Sequence, residues 1–128
     1  MPILNRNQIL QVDDLKKELI NVPEWNGQIY IRTLTGSERD AFEQSIIADK
    51  GKTNLANIRA RLCALAICDE KGKRLFEDKD IVTLGSKSAV ALDCVFSAVQ
   101  KLNGIGEEEI EELAKNSKNT QTDDSTSN

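Results

Sequence analysis

The sequence predicts one small α+β domain, in which an N-terminal β-hairpin packs on a bundle of four or five helices. Three observations support this: two strand-like runs flank a turn near residue 26, apolar residues recur at helical spacing from residue 37 onward, and the last fourteen residues contain no apolar side chain. A chain of 128 residues corresponds to one domain. We expect a single folded domain over residues 1–114 and a disordered polar tail over residues 115–128.

Composition excludes several classes of function before any motif is considered. The chain has 17 Lys and Arg, 21 Asp and Glu, a net charge of −4 and no His. The lack of His excludes Ser–His and Cys–His catalytic pairs and His-ligated zinc. The acidic balance argues against nonspecific binding to nucleic acid or to an anionic membrane. The N-terminus does not resemble a secretory signal, so the three Cys are expected to be reduced thiols in a cytosol.

The first elements are a short helix and two strands. The helix is predicted over residues 8–13, with Asn7 as its cap. The strands are predicted over residues 17–22 and 28–34, where β-branched residues recur.

A tight turn is predicted between the two strands. Asn26 and Gly27 both tolerate the positive φ of a type I′ turn, which is the strongest short-range hairpin signal. Ile29 and Ile31 then point to one face of the second strand, and Trp25 covers one end of the core.

Helices are predicted for the rest of the folded region. They cover residues 37–49, 54–68, 79–84 and 86–103, followed by an acidic turn or two over 107–114. Thr35 and Glu38 have the spacing of a capping box for the first of these helices. The predicted caps of the next three are Asn54, Asp78 and Ser86, and Gly104 is placed for a left-handed C-terminal cap.

No pattern of catalytic residues emerges. Gly51, Lys52 and Thr53 resemble the end of a phosphate-binding loop, but the pattern needs a Gly where Ile46 stands. The cysteines Cys63, Cys68 and Cys94 have apolar neighbours and no zinc-ligand spacing, so all three are expected to fill the core. The paired carboxylates fall at turns and helix starts, where capping explains them. No cofactor or metal is expected.

The long helix has more apolar residues than one packed face requires, because ten of the fourteen residues from 89 to 102 are apolar. Such a helix either lies at the centre of the core or has one side covered by a partner, and the pattern leaves both interpretations open. The acidic run after it could steer a basic partner. The candidate partner-binding residues are therefore Val90, Leu92, Val95, Phe96, Val99, Leu102, Glu107, Glu108 and Glu109.

Short patches of sequence occur in a recognisable order along the folded region. They are VPEWNG at 22–27, IYIR at 29–32, LTG at 34–36, ERDAFE at 38–43, NIRARL at 57–62, RLF at 74–76 and KLNG at 101–104. In this order they resemble the N-terminal region of tail assembly chaperones from long-tailed bacteriophages.

The resemblance implies a non-enzymatic assembly factor with an α+β fold. Its implied partners are the phage tape-measure protein, a very long and largely helical chain, and the tail-tube protein, with self-association into a homo-oligomer left open. Nucleic acid and membrane are not among the expected partners. Such a protein would be phage- or prophage-encoded, would act in the host bacterial cytoplasm and would be absent from the mature virion. The alternative is a structural virion component, such as a minor tail or head–tail joining protein.

Overall fold

The computed structural model describes residues 1–47 and 52–115. Within them the chain forms one small sheet and six helices. The elements are α1 (Arg6–Gln11), β1 (Lys17–Val22), β2 (Gly27–Arg32), α2 (Gly36–Ile46), α3 (Ile58–Ala66), β3 (Ile67–Cys68), α4 (Ile81–Gly85), α5 (Ala89–Asn103) and α6 (107–115), with single 3-10 turns at Pro23–Trp25 and Asp78–Asp80. The predicted α+β fold is confirmed. Within the described residues, all helices except α1 contribute side chains to the core. The predicted tail lies outside these residues, apart from Lys115 at the end of α6.

The hairpin has both predicted strands, with the second ending at Arg32 rather than at residue 34, but a different turn. β1 and β2 pair antiparallel from Lys17 with Arg32 to Val22 with Gly27, which leaves a four-residue loop. Pro23 begins a 3-10 turn, where its fixed φ is favourable, and Asn26 closes the loop with φ of 52°. The type I′ prediction is therefore wrong: Gly27 is already the first residue of β2, and only Asn26 has a left-handed backbone.

A third strand was not predicted. Ile67 and Cys68 form β3, which pairs antiparallel with Ile31 and Tyr30 of β2. α3 consequently ends at Ala66 rather than at Cys68 as predicted. The apolar spacing continues through this point, so only pairing with a strand more than 30 residues earlier ends the helix.

Local hydrogen bonds correct two predicted N-caps. Asn5, not Asn7, caps α1: its side chain accepts from the Gln8 N–H at 2.9 Å, and the Gln8 side chain accepts from the Asn5 N–H at 2.9 Å. Ser88, not Ser86, caps α5 by accepting from the backbone N–H groups of Val90 and Ala91. The hydroxyl of Ser86 instead donates to the carbonyl of Thr83.

Two further predicted caps are also displaced. α3 begins after Asn57, which has φ of 54°, whereas the side chain of Asn54 accepts only from the Ala56 N–H. The turn before α4 is closed by reciprocal bonds between Glu77 and Asp80 rather than by Asp78.

Two predicted helix ends are confirmed. The Thr35–Glu38 capping box begins α2, with both reciprocal bonds formed. Gly104 ends α5 with φ of 66° and the left-handed conformation predicted for it. α2 ends at Ile46, because Ile47 pairs with Thr53; the last predicted residues of this helix, 48 and 49, lie outside the described part of the chain.

The core lies between the sheet, α3 and α5. α5 packs against both β1 and α3, and residues 62–68 are all buried. The largest fully buried side chains are Ile31, Ile46, Leu62, Ile67, Val22, Val95, Val99, Cys63 and Cys68. α5 is therefore a central helix with α3 on one side and the hairpin on another.

A buried ion pair ties the sheet to α2. Arg32 is only 5% exposed, and its guanidinium donates to both carboxylate oxygens of Glu38, at 3.0 and 2.7 Å, and to the Leu65 carbonyl at 3.0 Å. Partial burial alone would raise the pKa of Glu38, but the bonds from Arg32 and Thr35 outweigh it and lower that pKa. Glu38 thus serves both as the N3 residue of the capping box and as the counter-ion of Arg32.

Candidate functional site

The thiols and carboxylates are the first candidates for a reactive or metal-binding site. Cys63 and Cys68 are buried, and burial together with the negative charge of Asp93 raises the pKa of Cys63 to about 12, so this thiol is not a nucleophile at neutral pH. The prediction that all three thiols fill the core is wrong for Cys94, because this residue of α5 is partly exposed. Among residues 1–47 and 52–115, no group of three or more Cys, Asp or Glu is placed to bind a metal ion.

The other residues considered for chemistry form hydrogen bonds within turns or between segments. The carboxylate of Asp69 accepts from the backbone N–H groups of Lys71 and Lys73, and these bonds lower the pKa of Asp69. Thr53 donates to the carbonyl of Ala114, at 3.3 Å, and so joins α6 to the segment between α2 and α3; Gly51 of the phosphate-loop pattern lies outside the described residues. In the part of the chain that the structure describes, none of the helices is long and apolar enough to cross a membrane.

The structure divides the apolar residues of α5 between core and surface. Leu92, Val95 and Val99 are buried, which makes them part of the core rather than a surface. Val90 is 63% exposed, near the start of the helix. Phe96 and Leu102 are partly buried and pack at the edge of the core. The central-core interpretation therefore holds for Leu92, Val95 and Val99, whereas Val90 lies on the surface.

An open groove of about 490 Å³ runs between the start of α3, the middle of α5 and α6. We call it the α5–α6 groove. Its apolar floor is formed by Leu55, Ile58, Phe96 and Ile110. Leu55 is exposed, whereas the other three also contact the core, so the floor is an extension of the core to the surface.

The rim of the α5–α6 groove is acidic. Glu107 and Glu111 line it from α6, one turn apart on the same side of the helix as Ile110. On the opposite wall Asp93 is paired with Arg59, so these two charges balance. The unbalanced charge on the rim is therefore negative, and it lies beside an apolar floor.

Contacts from earlier elements hold α6 in place. Glu109 pairs with Arg39 of α2 at 2.8 Å, and the same guanidinium donates to the Asn103 carbonyl at 3.3 Å. Ile110 and Leu113 pack on the core. Of the three predicted acidic residues, Glu107 lines the groove, Glu108 is exposed outside it and Glu109 forms the ion pair.

A second groove lies at the turn end of the hairpin. Its volume is about 470 Å³, and its lining is formed by Trp25, Leu75, Phe76, Thr83 and Leu84, with Asp80 and Lys87 also contributing. We call it the hairpin-end groove. Trp25 covers this end of the core as predicted.

Part of the α5–α6 groove was not among the predicted partner-binding residues. Leu55 and Ile58 belong to the helix predicted over residues 54–68, and from the acidic turn over 107–114 only glutamates were candidates. The signal for a docked helix was present: Ile110 and Leu113, three residues apart among the glutamates, are the apolar residues that attach α6 to the core.

Comparisons with known proteins give a family and a similar solved structure. A family described as phage tail assembly chaperone, TAC, matches residues 5–103, which is most of the chain. The structure of the bacteriophage HK97 tail assembly chaperone is similar, with a TM-score of 0.55 and 14% sequence identity, over 75% of this chain and 94% of that one. At this identity the structural match shows a shared fold. No curated protein sequence matches the chain.

Proposed function

Because the chain belongs to the phage tail assembly chaperone family, we propose that its client is the tape-measure protein and that the α5–α6 groove holds helical segments of that client. Family membership also favours the chaperone role over the alternative of a structural virion component. The chain binds its client without chemistry, helps to bring tail-tube subunits to it, acts in the cytoplasm of the host bacterium and leaves before the virion is complete.

The observation that carries this proposal is the apolar floor beside an acidic rim. A helix laid in a groove presents apolar side chains at positions i, i+3, i+4 and i+7, and the floor formed by Leu55, Ile58, Phe96 and Ile110 is suited to such a stripe. Basic side chains flanking the stripe would meet Glu107 and Glu111. This charge complementarity accelerates encounter and selects orientation, while burial of the stripe supplies most of the affinity.

A charge-reversal pair with a matched control tests the proposal. Glu107→Lys combined with Glu111→Lys reverses the rim of the groove, whereas Glu108→Lys combined with Glu112→Lys makes the same charge change, at the same spacing, on α6 residues that do not line it. Each double variant is co-expressed with the tape-measure protein of the same phage and recovered through a tag on the chaperone. We expect the rim variant to bind about tenfold more weakly or worse, and the control to bind nearly as well as wild type.

A floor variant separates the groove from a general charge effect. Leu55→Asp places a charge on the floor at a side chain that is 48% exposed, so the fold should survive. Loss of client in the floor and rim variants, with unchanged melting temperature, supports the groove. Equal loss of client in the rim variant and its control means that net charge alone acts. Full retention of client in the floor and rim variants places the client elsewhere.

Mass spectrometry of purified virions tests the alternative of a structural virion component, since such a component would be present in stoichiometric amounts.

A further inference from the structure

The α5–α6 groove continues beyond its apolar floor into a smaller recess at the start of α5. The recess has a volume of about 180 Å³ and shares Leu55, Ile58 and Arg59 with the groove. Lys87 and Ala89 line its far side. We call the groove and the recess together the extended groove, since their shared residues join them into one surface.

The extended groove follows one face of α5. Ala89 lines the recess, and Asp93, Phe96 and Ser97 line the groove at helical spacing from it. A helix rises about 1.5 Å per residue, so Ala89 and Ser97 are separated by about 12 Å along α5, or about two turns. A client helix laid along this face therefore meets the two ends with side chains that are about two turns apart.

The two ends of the extended groove have opposite charge. Glu107 and Glu111 line the α6 end, and Lys87 lines the recess at the other end. Lys87 is exposed, and among residues 1–47 and 52–115 it forms no ion pair, although it also lines the hairpin-end groove. Between the ends, Arg59 and Asp93 pair with each other and cancel. The surface is thus negative at one end and positive at the other.

The dipole of α5 adds to the positive end. The N-terminus of an α-helix has roughly half an elementary positive charge, and α5 begins at Ala89, beside Lys87. A client helix that runs antiparallel to α5 places its C-terminal carbonyls near this end and its N-terminal N–H groups near Glu107 and Glu111. The parallel direction reverses both contacts, so the helix dipoles favour the antiparallel one.

We infer that the extended groove selects a client helix by the order of its charges. Basic side chains come first along the client helix and meet Glu107 and Glu111, an apolar stripe follows on the floor, and acidic side chains about two turns later meet Lys87. The helix runs antiparallel to α5. This inference rests on the proposed function, because it takes the α5–α6 groove as the client site. It adds direction and register, which a stripe of apolar side chains alone does not specify.

Two synthetic peptides of identical composition test the order of charges. Both have the same apolar stripe, and a covalent staple on the opposite face holds them helical, since short free helices are marginal in water. The lysine-first peptide has lysines in its first turn and glutamates about two turns later, and the glutamate-first peptide has these exchanged. Fluorescence anisotropy with the full chain measures both affinities. We expect the lysine-first peptide to bind about fivefold more tightly or better.

A charge swap tests whether Lys87 is the partner of the acidic end. Lys87→Glu should weaken binding of the lysine-first peptide about fivefold. The matched control is Lys71→Glu, the same charge change at an exposed turn residue that does not line the extended groove, and it should bind as wild type does. Melting curves verify that both variants are folded.

A third peptide, with lysines in place of the glutamates of the lysine-first peptide, completes the swap. The ratio of its affinity to that of the lysine-first peptide should rise about fivefold or more in Lys87→Glu, and should keep the wild-type value in Lys71→Glu. This comparison removes any general attraction of a basic peptide to an acidic chain. Equal responses of the two variants overturn the inference.

The peptides also separate failure of this inference from failure of the proposed function. Equal affinity of the lysine-first and glutamate-first peptides, with both lost in Leu55→Asp, overturns the inference and leaves the groove as the client site. Wild type that binds none of the peptides also overturns the inference. The proposed function then stands or falls on whether Leu55→Asp retains the tape-measure protein.

Discussion

Within the described residues, two asparagines have a left-handed backbone, Asn26 with φ of 52° and Asn57 with φ of 54°. The first closes the hairpin loop, and the second starts α3. Asn tolerates this conformation better than other residues that have a Cβ, because its short polar side chain can bond locally. At the residue scale, the position of positive φ therefore decides which substitutions the hairpin accepts.

A pair of valine substitutions tests which residue bears the positive φ. Asn26→Val should lower the free energy of unfolding by about 1–2 kcal/mol, because a β-branched residue resists the left-handed conformation. Gly27→Val should be nearly neutral, since Gly27 is a strand residue and its added Cβ would meet only the Trp25 carbonyl oxygen, at 3.7 Å. Urea denaturation measures both. A larger loss of unfolding free energy for Gly27→Val than for Asn26→Val would support the type I′ turn instead.

At the scale of elements, the apolar pattern of α5 was compatible with two positions in the fold. The helix packs against β1, β2 and α3, which explains why its apolar residues occupy most of its circumference. A central helix and a helix covered by a partner have the same apolar pattern, so periodicity could not separate them. The positions of α3 and the hairpin decide that Val95 is core and Val90 is surface.

Aspartate substitutions on the two sides of α5 should give opposite results. Val95→Asp places an unpaired carboxylate at a position with no solvent exposure, and we expect the domain to unfold. Val90→Asp adds a negative charge to the exposed first turn of the helix, where the helix dipole favours it, so the melting temperature should change little or rise slightly. Thermal denaturation followed by circular dichroism compares them, and unfolding of Val90→Asp would place that residue in the core.

At the scale of the whole molecule, the three thiols report how the domain opens. Cys63 and Cys68 are 0% and 2% exposed, whereas Cys94 is partly exposed. Burial and the charge of Asp93 raise the pKa of Cys63 to about 12, so almost no thiolate is present at neutral pH. We expect a thiol reagent to label Cys94 first in the native protein, and all three only in denaturant.

Mass spectrometry of the labelling time course gives the order of reaction. Cys94→Ser should remove the first labelling step and leave the slow steps unchanged. Labelling of Cys63 or Cys68 as fast as Cys94 in native buffer would show that α3 and β3 separate from the core without global unfolding.

Sequence alone determined the features that depend on a few neighbouring residues. The Thr35–Glu38 capping box, the left-handed Gly104 and the two hairpin strands all follow from bonds and backbone preferences within a short window. Where several residues could perform the same local task, as with Asn5 and Asn7 or Ser86 and Ser88, the right region was predicted but the wrong residue. The family was likewise recognisable from ordered local patches, most of which lie in residues 5–103.

Tertiary structure decided the features that depend on distant residues. β3 exists because Ile67 meets Ile31, Arg32 is buried where Glu38 and the Leu65 carbonyl accept from the terminal nitrogens of its guanidinium, and α6 docks through Arg39. The Leu34 N–H donates to the side chain of Asn103, 69 residues away, and no local pattern contains that contact. Both grooves are formed by segments that the fold brings together. Short-range bonds are encoded by spacing, whereas burial depends on which elements meet.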